Sequence, residues 1–140
     1  SIGEIGELAA SVFQDPRSQF FTVNSSNEVA FGLENHGLPQ DKSDGGDEAF
    51  RIFHLERLKD RNVYELSSGE RQLISILSAW AMDTDIFLLD EPRPIWTLQP
   101  RSSKEILLAL KSRAKRCCSA STDSTIFRHC RRIWVMADGE

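Results

Sequence analysis

At 140 residues, 40% hydrophobic and 27% charged, the chain has the composition of one modest folded domain with a true core, which excludes extended disorder. A formal charge of -4 and the lack of a Lys/Arg block argue against a nucleic-acid surface, which needs clustered cations to neutralise phosphates. No apolar run approaches the ~20 residues needed to cross a bilayer, and no charged-then-apolar export signal opens the chain.

The first expected element is a strand over the apolar run Leu8 to Phe13, closed by Gln14, Asp15 and Pro16. "NEVAFGLENHGLP" has helical spacing, with Val29, Ala30 and Leu33 on one side and Gly37 and Pro39 as the stop. The polar "QDKSDGGD" reads as a loop before a second amphipathic helix that buries Phe50, Phe53 and Leu55. The clearest helix is "YELSSGERQLISILSAWAMDTD". Ser67 or Ser68 can cap it, Glu70 lies in the first turn where the helix dipole favours a negative charge, and Leu73, Ile74, Leu77 and Ala81 form an apolar face. The all-apolar run Ile86 to Leu89 then predicts a strand buried on both faces, as in a parallel sheet, ending in Asp90 and Glu91. "SSKEILLALKSR" predicts another helix and "RRIWVMADGE" a last strand. Strand and helix alternate in the second half, so the class is α/β, with a mainly helical insert in the first.

Consecutive carboxylates at the carboxyl edge of a parallel sheet stand where open α/β folds place ligands. Phosphoryl transfer needs one such group to hold magnesium and another to orient or deprotonate the attacking water, and Asp90 and Glu91 fit those roles in that order. A serine-glycine helix start at Ser67, Ser68 and Gly69 offers backbone N–H groups and hydroxyls suited to a terminal phosphate. Cys117, Cys118 and Cys130 have neither the spacing of a redox pair nor that of a zinc knuckle, and read as free thiols in a reducing cytoplasm.

In this order, the motifs resemble those of the ATP-binding cassette (ABC) ATPases: "SVFQDP" the Q-loop with Gln14, "LSSGERQ" the signature motif, "IFLLDEP" the Walker B strand with the catalytic glutamate. "PRSQFFTVNSSNEVAFGLEN" is similar to the ATPase subunits of energy-coupling factor transporters, which import vitamins and transition-metal ions. The resemblance implies a P-loop NTPase core with ATP and Mg2+ as cofactors. Gln14 would sense magnesium and attacking water, as a catalytic, cofactor-binding and metal residue, and link the site to the membrane subunits; Asp90 would support magnesium, and Glu91 would act as general base or water-orienting group. Ser67, Ser68 and Gly69 would clasp the γ-phosphate of ATP held by a second ABC ATPase subunit, in a homo- or heterodimer. Transmembrane transporter subunits would be the other partners, placing the protein at the cytoplasmic face of the membrane. Gln19, Phe20 and Phe21 would lie near the groove for those subunits, or serve ordinary packing of the helical insert.

The expected organisation is a partial cassette over residues 1–140: a helical subdomain with the signature motif over about 17–82, and parts of the α/β core at 1–16 and 83–140. G-x-x-x-x-G-K-[ST], the phosphate loop that precedes the Q-loop in this family, does not occur. The chain is therefore expected to begin partway through its domain, and by itself to bind ATP poorly or not at all. A catalytically dead or regulatory module that completes a partner's ATPase site is the alternative.

After Pro92 the family's wording, such as TANLDP, gives way to RPIWTL. A displaced reading frame accounts for the change: ACG GCC AAT CTG GAC CCT, stripped of its first base, spells Arg93 to Leu98. Tryptophan is always TGG and threonine begins AC, so the triplet spanning Trp96 and Thr97 is forced to be GAC, an aspartate. The same displacement through Cys117 to Ile126 forces a leucine across the two cysteines and permits LLSEHRLYY, the setting of the family's switch histidine. Two out-of-frame segments, 93–100 and 114–128, are expected on this account, with true divergence of a degenerate subunit as the alternative.

Overall fold

The computed structural model describes residues 9–13, 15–35, 44–82, 84–90 and 116–120. A parallel sheet runs in the order β1 (Ala9–Val12), β2 (Ile86–Asp90), β3 (Arg116–Ala120). Between β1 and β2 the described residues form the helices α1 (Ser25–Asn35), α2 (Asp44–Ile52) and α3 (Ser68–Ala81), with 3-10 turns at Pro16–Ser18 and Glu56–Leu58.

The register pairs Ala10 with Phe87 and Val12 with Leu89, so the four side chains share one sheet face, and all four are buried. They join a single core with Val29 of α1, Phe50 and Phe53 from the α2 region, Leu58, Leu66, and the α3 residues Leu73, Ile74, Ile76, Leu77 and Trp80. Phe53 meets Trp80 edge-on, with ring centroids 5.2 Å apart. The expected apolar face of α3 is buried, but so is most of the helix, Gly69 and Arg71 through Leu77 included. It packs against α1, α2 and β1 at once, which a single amphipathic stripe does not convey.

The expectation for β2 needs correction. Burial along Ile86–Asp90 alternates, with Phe87 and Leu89 inside and Leu88 41% exposed, so the strand is not buried on both faces. Period-two geometry sends Phe87 and Leu89 towards the helices and Leu88 and Asp90 to the opposite side. The polar loop before the second helix is also shorter than its composition suggests, because α2 begins at Asp44 and takes Gly45 and Gly46 into its first turn. Glycine disfavours a helix by about 1 kcal/mol relative to alanine, but contacts between α1 and α2 override that preference.

The end of α2 is a Schellman motif built without glycine. Leu55 N–H reaches Phe50 O at 2.8 Å and His54 N–H reaches Arg51 O at 3.2 Å. His54 takes the left-handed position, φ 53°, where glycine is the usual residue. β3 was not expected as a strand, and it falls within the segment 114–128. The helix expected from Ser102 and the strand expected near Ile133 lie outside the described residues, as do Gly37 and Pro39.

Candidate functional site

Two structural features carry the described site residues: the carboxyl edge of the sheet and the start of α3. Because β1 and β2 are parallel with Val12 opposite Leu89, their next residues, Phe13 and Asp90, leave the sheet at the same edge. Asp90 is the last residue of β2, is exposed, and pairs with Ala120 of β3. Gln14 follows Phe13 and Glu91 follows Asp90 in the chain, and both lie outside the described residues.

The exit from β1 is held by two glutamine amides. Gln19 donates from Nε2 to Ser11 O at 2.6 Å and accepts at Oε1 from Phe13 N–H at 3.2 Å, bridging the strand's last turn. Gln72, fully buried on α3, donates from Nε2 to Phe13 O at 3.4 Å. α3 is thereby tied to the residue that precedes Gln14. Gln72 Oε1 and Ser75 Oγ, one helical turn apart, are buried without a hydrogen-bond partner, an uncommon condition for polar atoms in a core.

Ser67 is the residue that caps α3. Its hydroxyl accepts from Glu70 N–H at 3.3 Å while Glu70 Oε2 accepts from Ser67 N–H at 3.0 Å, a reciprocal capping box. The Ser67 hydroxyl hydrogen also points to Glu70 Oε2, 2.8 Å away. The first turn of a helix leaves its N–H groups without intrahelical acceptors. The capping box satisfies that of Glu70, so the N–H groups of Ser68 and Gly69 remain for an anion, with the exposed Ser67 and Ser68 hydroxyls beside them. Glu70 Oε1 accepts from Arg57 Nη1 at 2.5 Å. These contacts, led by the Ser67 backbone N–H and then by Arg57, lower the Glu70 carboxyl from its ordinary 4.5 to about 2. Arg71, buried, turns its guanidinium back onto the carbonyls of Leu66 and Tyr64 and fixes the approach to the helix.

The segment expected near a partner groove divides by residue. Gln19 is spent on β1, Phe20 packs against the core, and Phe21 is 75% exposed, its ring 4.9 Å from that of Phe31. Glu28, only 4% exposed, holds this turn: its Oε2 accepts from Phe21 N–H at 3.1 Å and Thr22 N–H at 2.8 Å, with Thr22 Oγ1 at 3.0 Å. Val23 and Tyr64 continue the exposed apolar surface, joined through Val63 N–H to Val23 O at 2.8 Å.

Sequence reasoning missed Glu28, Gln72 and Arg57. Gln72 stands inside "LSSGERQ" and could have been suspected as a buried amide on an apolar helix; Glu28 and Arg57 look like ordinary surface charges until the chain is folded.

Comparison with known proteins identifies the family. Residues 3–93 match the family described as ABC transporter. The chain belongs to the ABC transporter ATPases. The energy-coupling factor transporter ATP-binding protein EcfA1 of Fusobacterium nucleatum is 32% identical over 98% of this chain and 53% of its own length. The structure of CbiO1 from Clostridium perfringens, part of the ABC transporter complex CbiONQ, is 31% identical with a TM-score of 0.70, over 87% of this chain and 50% of that one. The ATP-binding cassette MJ0796, solved as a dimer in a post-hydrolysis state with ADP and Pi, shares the fold with a TM-score of 0.75 at 20% identity, covering 91% of this chain and 57% of that one. This ABC ATPase chain thus spans about half the length of these relatives, and its α/β architecture is that of a cassette.

The described residues suit a nucleotide in kind. Two N–H groups and two hydroxyls at a helix start match a terminal phosphate, and one exposed carboxylate at the sheet edge matches a magnesium ion that keeps most of its waters. Among the described residues no group of three His, Cys, Asp or Glu could enclose a metal ion, and no helix is long and apolar enough to cross a membrane.

Proposed function

We propose that this chain is the signature-bearing half of an energy-coupling-factor-like cassette, coupling ATP hydrolysis to import of a vitamin or metal ion through membrane subunits. The observation that carries the reading is the start of α3, where the Ser68 and Gly69 N–H groups have no intrahelical acceptor and the exposed Ser67 and Ser68 stand beside them. In a head-to-tail pair this face completes the site of the second subunit, whose ATP supplies the γ-phosphate. ATP with Mg2+ provides the phosphoryl group and the charge that the metal neutralises in transfer.

Each remaining residue has a role in this reading. Asp90 holds magnesium, directly or through water; Glu91 orients or deprotonates the attacking water; Gln14 reports the state of that site to the membrane subunits. Residues at about 17–82 form the helical subdomain, with Phe21 and its apolar neighbours meeting the membrane subunits at the cytoplasmic face. The bracing of Phe13 by Gln72 supports this reading, because it gives the signature helix a direct mechanical link to the Q-loop.

The test is turnover in the assembled cassette pair, with the phosphate loop supplied. Glu91→Gln is expected to lower hydrolysis at its own site by about 10²-fold or more. Unchanged turnover would contradict catalysis by this chain and favour the module that only completes a partner's site.

A further inference from the structure

We propose that Arg57 is a charge-compensating residue of the signature face: it neutralises Glu70, so that the start of α3 accepts the terminal phosphate of the partner's ATP. The inference rests on the reading of that helix given above. Glu70 places a full carboxylate in the first turn, beside the N–H groups of Ser68 and Gly69. Its two oxygens are divided. Oε2 takes Ser67 N–H and the Ser67 hydroxyl, and Oε1 takes Arg57 Nη1.

This arrangement has opposite effects on folding and on binding. The carboxylate stabilises the helix start by satisfying its donors. The same charge repels an incoming phosphate. A cation on the far oxygen offsets that repulsion, because it cancels the charge while Oε2 keeps its capping contacts.

Arg57 is placed for that task. It sits in the Glu56–Leu58 turn, anchored by buried Leu58, whose carbonyl accepts from the buried Ser25 hydroxyl at 2.6 Å. Its backbone is therefore fixed while its side chain remains 65% exposed, against 22% for Glu70. The adjacent cation, Arg71, cannot substitute, because its guanidinium is turned to the Leu66 and Tyr64 carbonyls.

The experiment is a double-mutant cycle on ATP-dependent association. The full chain is titrated with an energy-coupling-factor cassette subunit that has its own phosphate loop, loaded with ATP and Mg2+. Arg57→Ala is expected to weaken association by about two- to fivefold at low salt, the range of a partly exposed ion pair, and less at high salt. Arg57→Lys should restore most of the loss. Glu70→Gln should tighten association, and in that background Arg57→Ala should have almost no effect. An Arg57→Ala cost that is equal in both backgrounds would overturn the proposal, since Arg57 would then act on the phosphate directly or through the fold. No cost in the wild-type background would overturn it as well. Absence of ATP-dependent association in the wild-type chain would instead overturn the underlying reading of the signature face.

Discussion

Glu28→Ala should be among the more damaging single changes to the helical region, although Glu28 lies far in sequence from the nucleotide motifs. Its carboxylate is 4% exposed and accepts from the N–H groups of Phe21 and Thr22, with the Thr22 hydroxyl also in reach. A hydrogen bond to a charged group contributes about 1.5–3 kcal/mol, and donors left without an acceptor incur their desolvation penalty. Phe21 and Thr22 are partly open to solvent, so water replaces some of what is lost and the bonds do not add in full. The expected cost is about 2–4 kcal/mol for alanine. Glutamine keeps an oxygen of the same reach and loses only the charge, so Glu28→Gln should cost about 1 kcal/mol. Urea unfolding of the full chain, followed by tryptophan fluorescence with Trp80 as a core reporter, measures both. An alanine variant within about 0.5 kcal/mol of wild type, or a glutamine variant as unstable as the alanine one, would refute the clamp.

Other outcomes follow from the same structure. The Glu70 carboxyl is lowered from 4.5 to about 2, so its contribution to stability is fully present above pH 4.5 and lost as pH falls through about 2; Glu70→Gln should flatten stability across that interval in acid titration. His54→Gly should stabilise the chain by roughly 0.5–1 kcal/mol in thermal or urea unfolding, because it relieves a left-handed histidine while both Schellman hydrogen bonds remain. Phe87→Ala, removing a fully buried ring opposite Ala10, should cost about 3–5 kcal/mol by the same urea assay. Sequencing the gene should yield leucine-aspartate across Ile95 to Thr97 after a one-base shift; codons that do not would leave true divergence as the explanation of Arg93 to Leu98.

The strands and helices that the sequence revealed are those whose local signals agree with their packing. β1 and β2 carry apolar runs and α1 and α3 a helical period that survive folding, although β2 buries only alternate residues, and of the two possible caps of α3 the fold takes Ser67. α2 was placed late because glycines in its first turn argue for a loop, and only contact with α1 reverses that. β3 was missed because Arg116–Ala120 has small, polar residues in place of an aliphatic run; its strand state comes from pairing with β2. At the site, residue types in sequence order place Ser67, Ser68 and Gly69 at the start of α3 and Asp90 at the end of β2, and the fold holds them at those positions. Partnerships were not legible: Gln72 with Phe13, Arg57 with Glu70 and Glu28 with the Phe21 turn join residues 59, 13 and 7 positions apart through the folded chain.

The central claim is that the start of α3 receives the terminal phosphate of a partner's ATP. Ser68→Glu tests it most directly, since Ser68 is exposed at the first helical position, where a carboxylate is favourable to the helix but hostile to a phosphate. The measurement is the dissociation constant between the full chain and an ATP-loaded cassette subunit, taken with the unfolding midpoint of the variant. The account predicts an unchanged or raised midpoint and a loss of ATP-dependent association of about tenfold or more, the effect of at least 1.4 kcal/mol of charge repulsion. Association that remains equally ATP-dependent in the Ser68→Glu chain would contradict it.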